Sequence, residues 1–186
     1  MSPTADNAAF GTGHDWLKTY IRDIPDFPRS GVVFKDITPL LADKKAFTYT
    51  IDAMAHQFDR DEIDKVLGIE ARGFIVAAPL AYRFTAGLIP VHKKGKLPWH
   101  VATESYQLEY GSDELEIHRD AIEPGERILI VDDVLATGGT AEATAHLTEA
   151  CGGKVAGIAT IMELAFLGGR DRLAAYEVFS VISFAT

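Results

Sequence analysis

Two adjacent carboxylates, Asp132 and Asp133, close the apolar run Ile128-Leu129-Ile130-Val131 and lead into the small-residue segment Ala136-Thr137-Gly138-Gly139-Thr140. Such a run predicts a central parallel strand buried on both faces. In open α/β sheets, ligands sit beyond the carboxyl ends of the strands. Carboxylates placed there are costly without partners, which hydroxyls, a metal or basic groups would supply. Small residues let the backbone approach a ligand closely. Free amides at the start of a helix, predicted here from Thr140 to Ala150, favour a phosphate group. Thr137 and Thr140 add hydroxyl donors. A Gly-Gly pair alone would read as a structural connection; strand, double acid and small-residue loop together read as an anion cradle. The turn lacks G-x-G-x-x-G, and Gly139 rather than lysine precedes Thr140, so neither a dinucleotide fingerprint nor a Walker loop fits.

Three other places carry residues able to do chemistry. Glu70-Ala71-Arg72-Gly73 follows the short apolar run Val66–Ile69, which puts Arg72 at another strand end, where its planar fork can clamp an anion. His92-Lys93-Lys94-Gly95-Lys96 is a basic cluster in a chain whose formal net charge is -9. Charge runs are usually solvated faces, but at a strand end in an acidic protein this one favours anion binding. Phe34 offers a flat aromatic face and Glu109 a titratable group; taken alone, they read as a core aromatic and a charged hairpin residue.

The elements that must position these groups alternate. Trp16, Tyr20, Ile21 and Ile24 recur at helical spacing, with Pro25 as a stop. Asp26–Gly31 reads as a loop leading into Val32-Val33-Phe34. A helix over 44–58 would bury Phe47, Ile51, Met54, Ala55 and Phe58. A strand at 66–69, a helix over 74–83 and a strand at 87–92 follow. Ser105–Leu108 and Glu114–His118, joined by Glu109-Tyr110-Gly111-Ser112-Asp113, form an expected β-hairpin. The stretch 96–103 has weak periodicity and is expected to be a mobile loop. Strands over 127–132, 155–162 and 177–184 complete a mostly parallel sheet flanked by helices.

Composition narrows the partners. The chain has 186 residues, of which 47% are hydrophobic and 24% charged, ordinary for a globular protein. The acidic balance disfavours nucleic acid and membrane surfaces. The one cysteine, Cys151, can form no intrachain disulfide, and no Cys/His metal spacing occurs. Residues 1–14 are expected to be a flexible tail without a secretory pattern, and 15–186 a single domain in a cytoplasmic protein.

The segment Val131–Thr140 resembles the signature of the type I phosphoribosyltransferases. Four further segments, in order, resemble the adenine phosphoribosyltransferases among them: Asp26-Phe27-Pro28 with Gly31–Pro39; Ala71-Arg72-Gly73-Phe74; Lys93–Pro98; and Ser105–Gly111. The resemblance covers about residues 26–173. It implies an α/β fold of the type I kind, with a mostly parallel central sheet, a hood and a flexible β-hairpin or lid loop. It implies conversion of adenine and phosphoribosyl pyrophosphate to AMP and diphosphate in purine salvage, with Mg²⁺ bound mainly through substrate, no dedicated protein cage, and a homodimer. By the same resemblance, Asp132 and Asp133 hold the ribose hydroxyls, and Ala136, Thr137, Gly138, Gly139 and Thr140 hold the 5′-phosphate. Ala71, Arg72, Lys93 and Lys96 serve pyrophosphate, one lysine reaching across the dimer. Val33, Phe34 and Lys35 read adenine, and Glu109 is the catalytic acid or base. A non-proline cis peptide is expected at Glu70-Ala71. The chain departs from the family at Trp99, where a small residue is common, and at Lys35 and His92, where arginine is common. A phosphoribosyltransferase for another base and a non-catalytic sensor of phosphoribosyl pyrophosphate are the competing readings.

Overall fold

The computed structural model describes residues 13–107 and 112–186. The chain divides into two compact units, residues 1–48 and 49–186.

In the first unit, a 3-10 turn over Asp15–Tyr20 precedes strand β1 (Arg22–Pro25), strand β2 (Val33–Asp36) and helix α1 (Thr38–Ala42). Strands β1 and β2 pair antiparallel, with Ile24 opposite Phe34. The helical spacing from Trp16 to Ile24 therefore does not carry through. Trp16 and Tyr20 lie in the same short 3-10 helix, their rings edge to face at 5.8 Å, while Ile24 is taken by the cross-strand pairing, which outweighs local periodicity. The connecting residues close on themselves: Gly31 N–H donates to Asp26 Oδ1 at 2.7 Å. Asp36, 8% exposed, accepts from the Thr38 amide and hydroxyl and so starts α1.

Helix α2 spans Lys44–Gln57, and the boundary between the units falls within it. Its fully buried positions are Ala46, Thr50, Ile51 and Met54, while Phe47, Ala55 and Phe58 are half-buried, a rotation of the expected stripe by about one position. Strand β3 (Lys65–Ile69), helix α3 (Gly73–Phe84), strand β4 (Gly87–Lys93), strands β5 (Val101–Gln107) and β6 (Ser112–His118), strand β7 (Arg127–Leu135), helix α4 (Gly139–Ala150), strand β8 (Lys154–Leu164), helix α5 (Gly169–Arg172) and strand β9 (Val178–Phe184) complete the second unit. The seven-stranded sheet runs β5-β6-β4-β3-β7-β8-β9. Strands β4, β3, β7, β8 and β9 are parallel, and β6 is antiparallel to both β4 and β5.

Ile128, Leu129, Ile130 and Val131 of β7 are each 0% exposed. Each such aliphatic side chain contributes about 1.5–3 kcal/mol of burial free energy, enough to make β7 the spine of the sheet. Two expectations are corrected here. Strand β7 does not end at Asp132 but pairs with β8 as far as Leu135. The segment expected to be a loop over 96–103 is strand from Val101, because Val101, Ala102 and Thr103 pair with His118, Ile117 and Glu116. The turn of that hairpin lies outside the described residues.

Candidate functional site

The chain leaves β3 through α3 to reach β4 on one side, and leaves β7 through α4 to reach β8 on the other. Right-handed crossovers in opposite directions place the two helices on opposite faces. They also open a crevice at the carboxyl ends of the adjacent strands β3 and β7, the switch point where α/β sheets take ligands. Three connections leave strands at this edge of the sheet: residues 70–73 after β3, 94–100 after β4, and 136–138 after β7.

The first is held tightly against the end of β7. A Cβ on Gly73 would lie 2.9 Å from the Val131 carbonyl oxygen and 3.1 Å from Asp132 Oδ1, so only glycine lets α3 start this close to β7. Arg72 Nε stands 2.8 Å from Asp133 Oδ2, near but not aligned as a hydrogen bond, and Asp133 is 4% exposed. Asp132 Oδ1 accepts the Asp133 amide at 2.8 Å. Burial raises the Asp132 carboxyl well above the usual carboxylate range, and the Asp133 charge adds to the rise. Two adjacent carboxyls so placed suit hydroxyl donors or a cation as partners.

The loop after β7 forms a cavity of about 130 Å³ lined by Asp132, Ala136, Thr137, Gly138, Gly139, Thr140 and Thr160, among others. Gly138 takes φ +79° just before α4. It has no side chain to cap the helix, so the first amides of α4 keep their donors for a ligand. Thr160, 1% exposed on neighbouring β8, shares a 2.8 Å hydroxyl contact with Ser180.

On the opposite side of β3, Glu70 collects the basic groups. Glu70 Oε2 accepts the Lys93 amide and contacts His92 Nδ1, each at 3.0 Å, and Lys96 Nζ pairs with Oε1. Burial pushes the Glu70 carboxyl upward, but the hydrogen bonds from Lys96, Lys93 and His92 together outweigh it and hold the group at about 2. Lys93 Nζ pairs with Asp113 Oδ2 at 3.1 Å. That hydrogen bond raises the ammonium above its ordinary value. Tyr106 donates to the same carboxylate oxygen at 3.3 Å. The peptide Glu70-Ala71 is cis.

Asp132, Asp133, Ala71, Arg72 and residues 136–140 therefore meet at one switch point. Lys93 and Lys96 stand beside it, each engaged with a carboxylate. Val33, Phe34 and Lys35 lie on β2 in the first unit. Phe34 is half-buried rather than core, edge to face with Phe27 at 5.2 Å, and Lys35 pairs with Asp23 at 2.8 Å. Glu109 lies outside the described residues. Glu70 and His92, named only as parts of their segments, were given no role by the sequence, and Asp113 and Thr160 were not among its site residues. The signal for the first two was strand register: Ile69 pairs with Val91, which puts Glu70 beside His92.

The profile of the family described as "Phosphoribosyl transferase domain" matches residues 40–186. The chain is 54% identical over 170 residues to the adenine phosphoribosyltransferase of Geobacter metallireducens, covering 91% of this chain and 99% of that one. It superposes on the crystal structure of adenine phosphoribosyltransferase from Rhodothermus marinus with a TM-score of 0.88 at 53% identity, covering 92% of this chain and 98% of that one. For the Saccharomyces cerevisiae enzyme, complexed with an imino-altritol bisphosphate and adenine, the TM-score is 0.85 at 37% identity, covering 90% and 97%.

Proposed function

The chain belongs to the adenine phosphoribosyltransferase family, and from that premise we propose that it joins adenine to the ribose 5-phosphate of phosphoribosyl pyrophosphate, releasing diphosphate and AMP in purine salvage. The observation that supports the reading is the Arg72–Asp133 contact at the switch point, which brings a guanidinium beside the double acid and the cavity of the small-residue loop.

In the reaction, N9 of adenine attacks ribose C1 as the bond to diphosphate breaks. Asp132 and Asp133 accept the ribose hydroxyls and stabilise the positive charge that grows on the ring as the leaving group departs. Ala136, Thr137, Gly138, Gly139 and Thr140 fix the 5′-phosphate with backbone amides and hydroxyls. Ala71, Arg72, Lys93 and Lys96 receive diphosphate, with Lys96 exchanging Glu70 for the substrate. Val33, Phe34 and Lys35 take the base: an aromatic face suits a flat ring, and paired backbone donors and acceptors reject a keto group where an amino group belongs. Glu109 exchanges a proton with the purine nitrogen next to the new bond. The carboxylate pair at Asp132 and Asp133 would hold Mg²⁺ together with the substrate's phosphates, and the cation would supply charge neutralisation for the diphosphate leaving group. The flexible hairpin or lid falls to the stretch before Val101 together with the hairpin of β5 and β6.

The assembly is a homodimer in the cytoplasm, with residues 15–186 acting as one domain; residues 1–12 of the expected tail lie outside the described residues. The dimer is supported by large apolar side chains left exposed on α3 and β4, with Ile75 at 46%, Tyr82 at 87% and Leu88 at 47%. The single domain is supported by the match to the Geobacter metallireducens relative, which runs over 170 residues, 91% of this chain and 99% of that one.

The acid-base assignment is tested with Glu109→Leu. Turnover should fall by about 10²- to 10⁴-fold, the usual contribution of a proton-transfer group, while calorimetric binding of phosphoribosyl pyrophosphate survives. An unchanged rate removes Glu109 from the mechanism.

A further inference from the structure

The cradle at 136–140 binds through its backbone, so its shape must be imposed from outside. The short segment after β8 imposes it. A Cβ on Gly138 would lie 2.7 Å from the Gly169 carbonyl oxygen; a Cβ on Gly169 would run into the Ala136 carbonyl oxygen and lie 3.0 Å from the Gly138 nitrogen. The two glycines are thus pressed backbone to backbone, with Gly168 at φ +68° turning the chain into this contact.

Gly169 is fixed by its neighbour. Arg170 grips Glu163 with Nε 3.1 Å from both carboxylate oxygens and a terminal nitrogen 2.6 Å from Oε2, and its other terminal nitrogen donates to the Val178 carbonyl at 2.8 Å. Glu163, 6% exposed, lies near the end of β8, and Val178 begins β9. One guanidinium therefore ties α5 to two strands of the sheet. On the other flank, Arg172 Nε pairs with Glu142 Oε2 at 2.9 Å, tying α5 to the first turn of α4.

We infer that Arg170, through Glu163, is a positioning residue for the sugar-phosphate site: it holds Gly169 against Ala136 and Gly138 and so sets the spacing of the amides that meet the 5′-phosphate. It touches no substrate. The inference rests on reading 136–140 as the phosphate cradle. A lysine at 170 keeps the charge and loses the fork, and losing one charge-assisted amide–phosphate hydrogen bond costs about 10- to 100-fold in affinity.

The test uses the full chain and two ligands, ribose 5-phosphate and inorganic pyrophosphate, titrated calorimetrically into the wild type, Arg170→Lys and Gly169→Ala. Gly169→Ala perturbs the same contact without touching the ion pair, which guards against a folding defect in the arginine variant. Ribose 5-phosphate affinity should fall about 10- to 100-fold in both variants, with pyrophosphate affinity within about twofold of wild type, because the clamp at Ala71 and Arg72 does not rest on α5. In steady state the KM for phosphoribosyl pyrophosphate should rise while kcat changes less. Equal loss of both ligands, or no loss of either, overturns the positioning role. Failure of the wild type itself to bind ribose 5-phosphate overturns the cradle reading, and the inference with it.

Discussion

Arg72 and Asp133 face each other with Nε 2.8 Å from Oδ2, across the crevice between two strands that neighbour in space but are separated in the chain by the whole β4–β6 excursion. Asp133 is almost fully buried while Arg72 is about one-third exposed. Removing the arginine strands a buried carboxylate. Arg72→Ala should cost roughly 2 kcal/mol of stability by denaturant titration, less than a fully buried pair because the guanidinium is part-solvated. Adding Asp133→Asn should recover part of that loss. Independent, additive losses would show that the two groups are not coupled.

Gly73 permits that approach. Alanine at the start of a helix gains up to about 1 kcal/mol in propensity. The clash of its Cβ with the Val131 carbonyl costs about 1–3 kcal/mol, since backbone must move. The clash wins: Gly73→Ala should lower stability by about 1 kcal/mol net and weaken diphosphate binding. A stabilised variant would contradict the close packing.

Asp132 gives a pH signature. Its folded value is raised, by burial first and by Asp133 second. An unfolded chain ionises it at a lower pH, so the residue's contribution to stability is neutral below the unfolded value and becomes unfavourable as pH rises towards the folded one. Asp132→Asn should therefore be more stable than wild type at neutral pH and no more stable in acid. Its hydroxyl-accepting form appears only as pH rises, so kcat/KM for phosphoribosyl pyrophosphate should show an acid limb. That limb should be absent from whatever residual activity the variant retains.

Glu70 behaves in the opposite sense. Burial alone would raise it, but Lys96, Lys93 and His92 bring it to about 2, below its ordinary 4.5. Its stabilising contribution is complete above about 4.5 and is lost as pH falls towards 2. Between those limits the melting temperature of the wild type should fall more steeply than that of Glu70→Gln. Parallel curves would mean the basic cluster does not hold the carboxylate.

Much of this was legible in the residues, for identifiable reasons. The Ile128–Val131 run, the double acid and the small-residue loop announce themselves locally, and the sheet keeps them together. Arg72 was placed at a strand end by its neighbours, yet its partner Asp133 was not readable, because that contact depends on which strands are adjacent. The same holds for Glu70 with His92 and for Glu163 with Arg170. Ile24 was misread as helical because its spacing from Tyr20 fits a helix, while pairing with Phe34 across a turn decides the matter. Val101–Thr103 looked irregular because an edge strand takes its conformation from its partner, β6, rather than from its own pattern.

The central claim is the identity of the base. The measurement that tests it most directly supplies the protein with Mg²⁺, phosphoribosyl pyrophosphate and one of adenine, hypoxanthine, guanine, xanthine or orotate, and follows the nucleotide formed. AMP should dominate by several orders of magnitude in kcat/KM, since a site built to pair the adenine edge leaves polar groups unmatched against an oxopurine, a penalty of about 10⁴-fold. Faster use of hypoxanthine or guanine would contradict the adenine assignment to Val33, Phe34 and Lys35 while leaving the ribose-phosphate cradle intact.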